Sequence, residues 1–325
     1  MIKRKKRLFI VIQSLQYLQA EEIFDDEDEN ILVVLWADEF SQLHSLVSSK
    51  IWDKIFWIQL RGTFYEVVKH RRYINKIIDD IGIIDEVIVS SYYNNLMNIF
   101  MNHYKNSNKI LLEDGNATLT LDTNSYYSGK KTKLKNFILY LFGFDVSPIQ
   151  KIDIFTTYKC VLEYPPKIAK NLIYNEFSRI KKKIKNLPDG KDVYFINSNY
   201  IQLKMIDKKV YIDFLKKSID RFRGNNIKVI LHRFDQVDDY NEIIGYRGTE
   251  VIKLKECVEI YFSKIHEKPY FILTAGSGAT KTLYDIYRFN VKVFMPKIEL
   301  FQPKFRKDIK TIVDKLGEKF NVEFL

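Results

Sequence analysis

Three apolar runs in this chain end in residues that can do chemistry. The first is Leu111-Leu112-Glu113-Asp114-Gly115-Asn116. Two adjacent carboxylates follow a strand-like run, and a glycine allows a sharp turn after them. Neighbouring like charges and partial burial raise a carboxylate's pKa. That fits Glu113 or Asp114 to take a proton from a hydroxyl, although a solvated turn uses the same residue types. The second run, Val229-Ile230-Leu231-His232-Arg233, brings an imidazole and a guanidinium to a strand end. Such a pair suits a phosphate; a histidine that merely caps a strand would look the same. The third is Phe271-Ile272-Leu273-Thr274-Ala275-Gly276-Ser277-Gly278-Ala279-Thr280-Lys281. Here a strand runs into small residues and then a helix, whose first N–H groups and dipole favour an anion. Ser277, Thr280 and Lys281 offer further donors. It is not a P-loop, because Thr280 stands where the glycine before the lysine is required. A tight turn without a ligand fits the same residues.

These residues need a scaffold that ends strands side by side. Leu8–Gln13, Ile31–Trp36, Lys54–Leu60, Glu86–Ser90 and Lys109–Leu112 read as buried strands. Helical patterns separate them at Leu15–Phe24, Phe64–Ile81 and Tyr93–His103. Alternation of this kind predicts a parallel sheet covered on both faces. The second half repeats it, with strands at Asp192–Ile196, Ile227–Leu231, Tyr270–Leu273 and Val291–Phe294. Its helices are expected at Tyr211–Phe222, Cys257–Ile265, Lys281–Tyr287 and Lys307–Phe320. The predicted fold is α/β: two Rossmann-like domains facing a central cleft. The junction is placed between residues 150 and 190, which assigns 1–160 to the first domain and 161–325 to the second. Residues 124–135, polar and lysine-rich, read as a loop. In such sheets ligands sit beyond the carboxyl ends of the strands, where all three candidate motifs lie.

The chain has 325 residues, 46% hydrophobic and 29% charged, with a formal charge of +11. This is a globular composition, and the positive balance favours anionic partners. Two cysteines, Cys160 and Cys257, make no disulfide framework. The five histidines lack metal-ligand spacing, so no metal is expected. No signal peptide is expected, since the apolar run Leu8–Ile12 is too short, and no spanning helix, since Phe137–Phe144 is far short of the ~20 residues required. The basic stretches Lys3–Arg7 and Arg179–Lys185 raise the prospect of an anionic membrane surface. No RRM, zinc-finger or helix-turn-helix signature accompanies the charge.

Taken in order along the chain, the motifs resemble those of bacterial sialyltransferases of the GT-B type. The similarity is to glycosyltransferase family 52, which acts on lipooligosaccharide and capsule, and to the related polysialyltransferases. Glu113-Asp114-Gly115 matches the family's acidic motif. His232-Arg233 stands for its His-Pro motif, with arginine in place of proline. Ser277-Gly278 stands for its hydroxyl pair, with glycine in the second position. Phe9–Ala20, which contains Ser14 and Gln16, resembles the opening strand, turn and helix. Glu259 matches an acidic residue between the second and third motifs.

The resemblance implies inverting transfer of sialic acid from CMP-sialic acid to a hydroxyl of a surface glycan or glycolipid. In that reading Glu113 is the general base, oriented by Asp114, and His232 binds or protonates the leaving CMP phosphate. Arg233, Gly276, Ser277, Gly278 and Thr280 hold the nucleotide, with Thr274, Thr280 or backbone N–H groups replacing the missing hydroxyl. Glu259 accepts from the ribose, while Ser14, Gln16 and Asn116 line the donor or acceptor. A monophosphate leaving group needs no cofactor and no divalent metal. The expected place is the cytoplasm or the inner face of the cytoplasmic membrane. Two alternatives keep the composition: a transferase using another nucleotide sugar such as CMP-Kdo, and a non-enzymatic polyanion or nucleic-acid binder.

Overall fold

The computed structural model describes residues 4–35, 43–44, 46–47, 50–113, 121, 129–157 and 166–325. The chain divides into two compact units, Met1–Arg179 and Ile180–Leu325. The division falls after residue 179, inside the expected window of 150–190 but later than 160. The reason is a strand absent from the sequence reading, Ala169–Tyr174, which pairs with Ile152–Thr156 and so belongs to the first sheet.

The first unit is built on seven parallel strands: β1 (Lys6–Val11), β2 (Glu29–Leu35), β3 (Lys54–Ile58), β4 (Glu86–Val89), β5 (Asn108–Leu112), β6 (Ile152–Thr156) and β7 (Ala169–Tyr174). Their order is β3-β2-β1-β4-β5-β6-β7. Helices α1 (Ser14–Ile23), α2 (Phe64–Lys69), α3 (Arg71–Ile81), α4 (Asn95–His103) and α5 (Lys130–Leu141) occur in the same unit. Successive strand residues point to opposite faces, and both faces are buried. Leu8, Ile10, Val87 and Val89 pack with Ile74, Ile77, Ile78 and Ile81 of α3. Phe9, Val11, Leu32 and Val34 pack on the other side with Tyr17 and Ala20 of α1. This explains why these strands read as unbroken apolar runs.

Two expectations change here. The single helix predicted over Phe64–Ile81 is two, meeting at His70, whose φ of −103° and ψ of 21° interrupt the helix. The polar segment 124–135 is helical from Lys130 onward, where α5 begins. The apolar residues after Leu134 complete that helix, which lysine content alone concealed.

The second unit begins with helix α6 (Ser178–Ile184), which straddles the division. Its sheet has six parallel strands: β8 (Asp192–Ile196), β9 (Asn226–Ile230), β10 (Glu250–Ile252), β11 (Phe271–Thr274), β12 (Val291–Met295) and β13 (Val322–Phe324). The order is β10-β9-β8-β11-β12-β13. Four further helices are α7 (Lys208–Asp220), α8 (Val258–Ser263), α9 (Ala279–Tyr287) and α10 (Arg306–Gly317). Val193, Phe195, Val229 and Leu273 form a core with Tyr211, Phe214 and Leu215 of α7.

Both sheets thus share one topology. The chain lays down three strands in one direction, then returns to the other side of the first. This is the doubly wound order, and its switch points lie between β1 and β4 and between β8 and β11.

Candidate functional site

In the first unit, Glu113 follows β5 directly and is buried, at 6% exposure. One carboxylate oxygen, Oε2, accepts from Thr156 Oγ1 at 2.8 Å, Thr157 N at 2.6 Å and Thr157 Oγ1 at 2.7 Å. These threonines end the neighbouring strand β6. The Glu113 backbone is held from the other side by Gln19 of α1. The Gln19 amide donates to Glu113 O at 3.1 Å and accepts from Glu113 N at 2.9 Å. The carboxylate therefore has a fixed direction, set by two elements. Asp114, Gly115 and Asn116 lie outside the described residues.

Gln16 has a different part from the one expected. Its Oε1 accepts from Ile12 N at 3.1 Å and Gln13 N at 3.0 Å, and its Nε2 donates to Ser90 O at 3.1 Å. At 2% exposure, its amide ties the end of β1 to the end of β4 across the switch point. Both ends of the amide are engaged by backbone. Ser14 is also buried, in the first turn of α1.

In the second unit, two of the predicted motifs flank β8, His232 beyond β9 and Gly276 beyond β11. Strands two apart in a sheet are separated by about 10 Å. The chain after β8 bonds to both. Asn197 Nδ2 donates to Asp235 Oδ2 at 2.7 Å, within the His232 loop. Ser198 Oγ and Tyr200 OH donate to Ala275 O at 3.2 and 2.7 Å, within the other.

The His232 loop is a tight turn. Asp235 Oδ2 also accepts from His232 N at 2.9 Å. Lys253, just after β10, donates to His232 O at 2.9 Å, Arg233 O at 2.7 Å and Asp235 O at 2.6 Å. Phe234 N donates to His232 Nδ1 at 3.3 Å, so the ring proton of the neutral imidazole sits on Nε2. Burial, then the charges of Arg233 and Lys253, hold the His232 pKa below its ordinary value. The neutral imidazole can therefore donate a hydrogen bond from Nε2. Arg233 is exposed, with its guanidinium 4.7 Å from the Phe234 ring centre. Phe234 is itself 56% exposed, an aromatic surface beside the imidazole. Burial raises the pKa of Asp235, whose Oδ1 is a buried atom with no hydrogen-bond partner among the described residues.

The Gly276 loop explains its own composition. Gly276 has φ of +78°, and a Cβ there would meet Met295 Sδ at 2.9 Å and Tyr200 OH at 3.0 Å. Only glycine fits both demands. Ser277 N donates to Thr274 Oγ1 at 3.1 Å, and Ala279 N donates to Ser277 Oγ at 3.3 Å. Thr280 Oγ1 donates to Ser277 O at 2.6 Å and lies 2.9 Å from Thr274 Oγ1. Thr274 and Thr280 are both fully buried. They build the turn from inside, so neither replaces the missing hydroxyl toward a ligand. Gly278 begins α9, where an added Cβ would meet nothing within 4 Å.

Glu259 lies on α8 and is 7% exposed. Burial raises its pKa, against hydrogen bonds from its own backbone, Cys257 and Thr282. Thr282 is in the first turn of α9, so Glu259 belongs to the same neighbourhood as the Gly276 loop. Tyr287, also on α9, donates its hydroxyl to the Glu259 carbonyl.

Residues that the three motifs did not include do much of the positioning: Gln19, Thr156 and Thr157 in one unit, and Asn197, Ser198, Asp235 and Lys253 in the other. Thr156-Thr157 and Asn197-Ser198 each follow an apolar strand. The strand-end rule, applied to Asp192–Ile196, would have found Asn197-Ser198; Thr156-Thr157 closes a strand that the sequence pattern did not reveal.

No sequence-family profile matches the chain, and no curated protein sequence matches it. Its fold does match solved structures. Arabidopsis thaliana UGT89C1 complexed with UDP-L-rhamnose aligns with a TM-score of 0.54 at 12% identity, covering 100% of this chain and 86% of that one. The UDP-GlcNAc 2-epimerase of Neisseria meningitidis, bound to UDP-GlcNAc, gives 0.52 at 10% identity, covering 96% and 90%. E. coli heptosyltransferase WaaC with ADP gives 0.50 at 11% identity, covering 97% and 98%. The chain therefore has the two-Rossmann fold of GT-B type.

Proposed function

We propose that the protein is a glycosyltransferase that takes its sugar from a nucleotide donor, bound at the switch point of the second sheet. The observation that carries this is the pair of loops on either side of β8. One presents an Nε2 donor beside an exposed cation and an aromatic ring; the other is a glycine turn opening a helix. Both are tied to the same segment, Asn197–Tyr200. A phosphate meets the helix N-terminus and the imidazole there, and Glu259 faces that helix's first turn. The fold neighbours solved with UDP-L-rhamnose and UDP-GlcNAc support a nucleotide sugar in general.

The finer reading is a CMP-sugar donor, CMP-sialic acid first, with inversion at the transferred carbon. It is supported by the order of Glu113, His232 and Ser277 along the chain and by their resemblance to family 52. Glu113 takes the acceptor hydroxyl's proton as its oxygen attacks. With Oε2 committed to the threonines, Oε1 is the basic oxygen. His232 Nε2–H donates to the phosphate that leaves with the C–O bond electrons. The reading requires no metal.

Isothermal titration with CMP, UMP, UDP, ADP and GDP, without added metal, tests it on wild type and His232→Ala. Preference for CMP, weakened in the variant, supports the CMP-sugar reading, and hydrolysis of CMP-sialic acid against CMP-Kdo then separates the two donors. Preference for a diphosphate removes CMP and keeps nucleotide-sugar chemistry. Absence of nucleotide binding would overturn both.

A further inference from the structure

Helix α5 presents to solvent the kind of stripe that a globular helix buries. Leu134, Phe137 and Leu141 are 61%, 58% and 67% exposed. Their spacing of three and four residues sets them on one side of the helix. Tyr140 beside them is 68% exposed, and the helix is anchored by Leu139, which is fully buried. A contiguous exposed apolar surface of this sort marks an interaction site.

The surroundings are basic. Lys131, Lys133 and Lys135 are exposed on the same helix. At its far end Phe142 borders a hollow of about 720 Å³ lined also by Lys69, His70, Arg71, Arg72 and Tyr73. The Arg71 guanidinium lies 6.0 Å from the Phe142 ring centre. Residues 61–76 contain five lysines and arginines and residues 129–144 four, against one acidic residue, Glu66. Glu66 is already bonded to the N–H groups of Arg61 and Thr63.

We propose that this face docks on an anionic phospholipid bilayer. Phe137, Leu141 and Leu134 enter the interface, Tyr140 sits at headgroup level, and Arg71 and Arg72 take lipid phosphates. A bilayer is the occupant that uses both halves of the surface. A nucleic acid would engage the cations but leave two leucines without a partner. At 12 residues, α5 is about 18 Å long, too short to span and suited to lying in the interface plane. In the two basic stretches conspicuous in the sequence, four of the cations are already engaged. Arg4 is bonded to Asp53, Lys6 to Glu29 and Arg7 to Glu86, while Arg179 donates to Phe24 O. The proposal stands apart from the glycosyl-transfer reading, since binding to lipid requires no turnover.

Sedimentation with vesicles of phosphatidylcholine alone, or with a quarter phosphatidylglycerol, tests it on the full chain. Binding is expected only with the anionic vesicles and should weaken steeply between 50 and 300 mM salt. Arg71→Gln/Arg72→Gln should lower the partition constant about fivefold per charge. Phe137→Ser/Leu141→Ser should lower it about tenfold or more. A control pair on α10, Lys307→Gln/Lys310→Gln, should change it little. All six sites are exposed, and thermal unfolding checks that the variants fold. In Phe137→Trp, the added indole's fluorescence should be quenched by brominated acyl chains. Equal binding to neutral vesicles, indifference to Phe137→Ser/Leu141→Ser, or no quenching would overturn the proposal. So would no binding, or a preference for a single-stranded oligonucleotide that displaces the vesicles.

Discussion

The strand ends of the two units solve the same positioning problem differently, although their sheets have the same order. In the first, a single carboxylate is aimed by side-chain hydroxyls from the next strand and by one glutamine from a helix. In the second, no one group dominates. Two loops are shaped by backbone constraints, a positive-φ glycine and a lysine bonded to three carbonyls, and are joined through β8. Under the proposed function, the contrast separates chemistry from binding. A proton acceptor needs direction, which two threonines supply. A ligand held at several points needs a rigid frame, which requires buried polar bonds and close approach.

The sharpest test of this division is Glu113→Gln. The amide keeps the shape and removes the base. Transfer should fall by about 10²–10⁴-fold, while nucleotide affinity by titration should be unchanged. A parallel loss of affinity would erase the proposed distinction between the units.

Gly276→Ala probes the frame. The alanine must hold φ near +78° and displace Met295 or Tyr200. A loss of about 1–3 kcal/mol is expected, read as a lower denaturant midpoint, together with loss of nucleotide binding. An unchanged midpoint would mean that the loop yields easily.

Lys253→Met should cost about 2 kcal/mol, the scale of charge-assisted hydrogen bonds, and weaken nucleotide binding severalfold. Glu113-dependent proton transfer in a saturated enzyme should hardly change.

The smallest expected effect is in pH. The folded-state pKa of His232 is below its unfolded value, so the unfolded chain takes up the proton first. Its stabilising contribution is complete above about pH 6.5, the unfolded value, and is lost as pH falls through the lower folded value. His232→Ala should flatten that acid-side decline in melting temperature. A steeper decline in the variant would contradict the assigned Nε2–H form.

Legibility followed the range of the forces. The strands were readable because both sheet faces are buried, which makes runs such as Leu8–Val11 uniformly apolar. Glu113, His232 and Gly276 were readable because they follow such runs directly. What escaped depends on partners that only the folded chain brings together. Gln16 resembles a ligand-binding amide until Ser90 is seen beside it. Thr280 looks like a donor until it is found facing Thr274 inside the turn. Lys253 has no local pattern, because its bonds go to carbonyls 18 to 21 residues away. Helix α5 was half hidden by its lysines, and the outward direction of Phe137 cannot be inferred from periodicity alone.

The segment from Asn197 to Tyr200 has a consequence for how the second unit opens. Since it fastens both neighbouring loops, neither can swing away from β8 without loosening the segment that also seats the other. Local unfolding should therefore be cooperative across about 10 Å of sheet edge. Amide protons of residues 232–235 and 275–277 should exchange with solvent at a common rate, and a ligand touching only one loop should slow exchange in both.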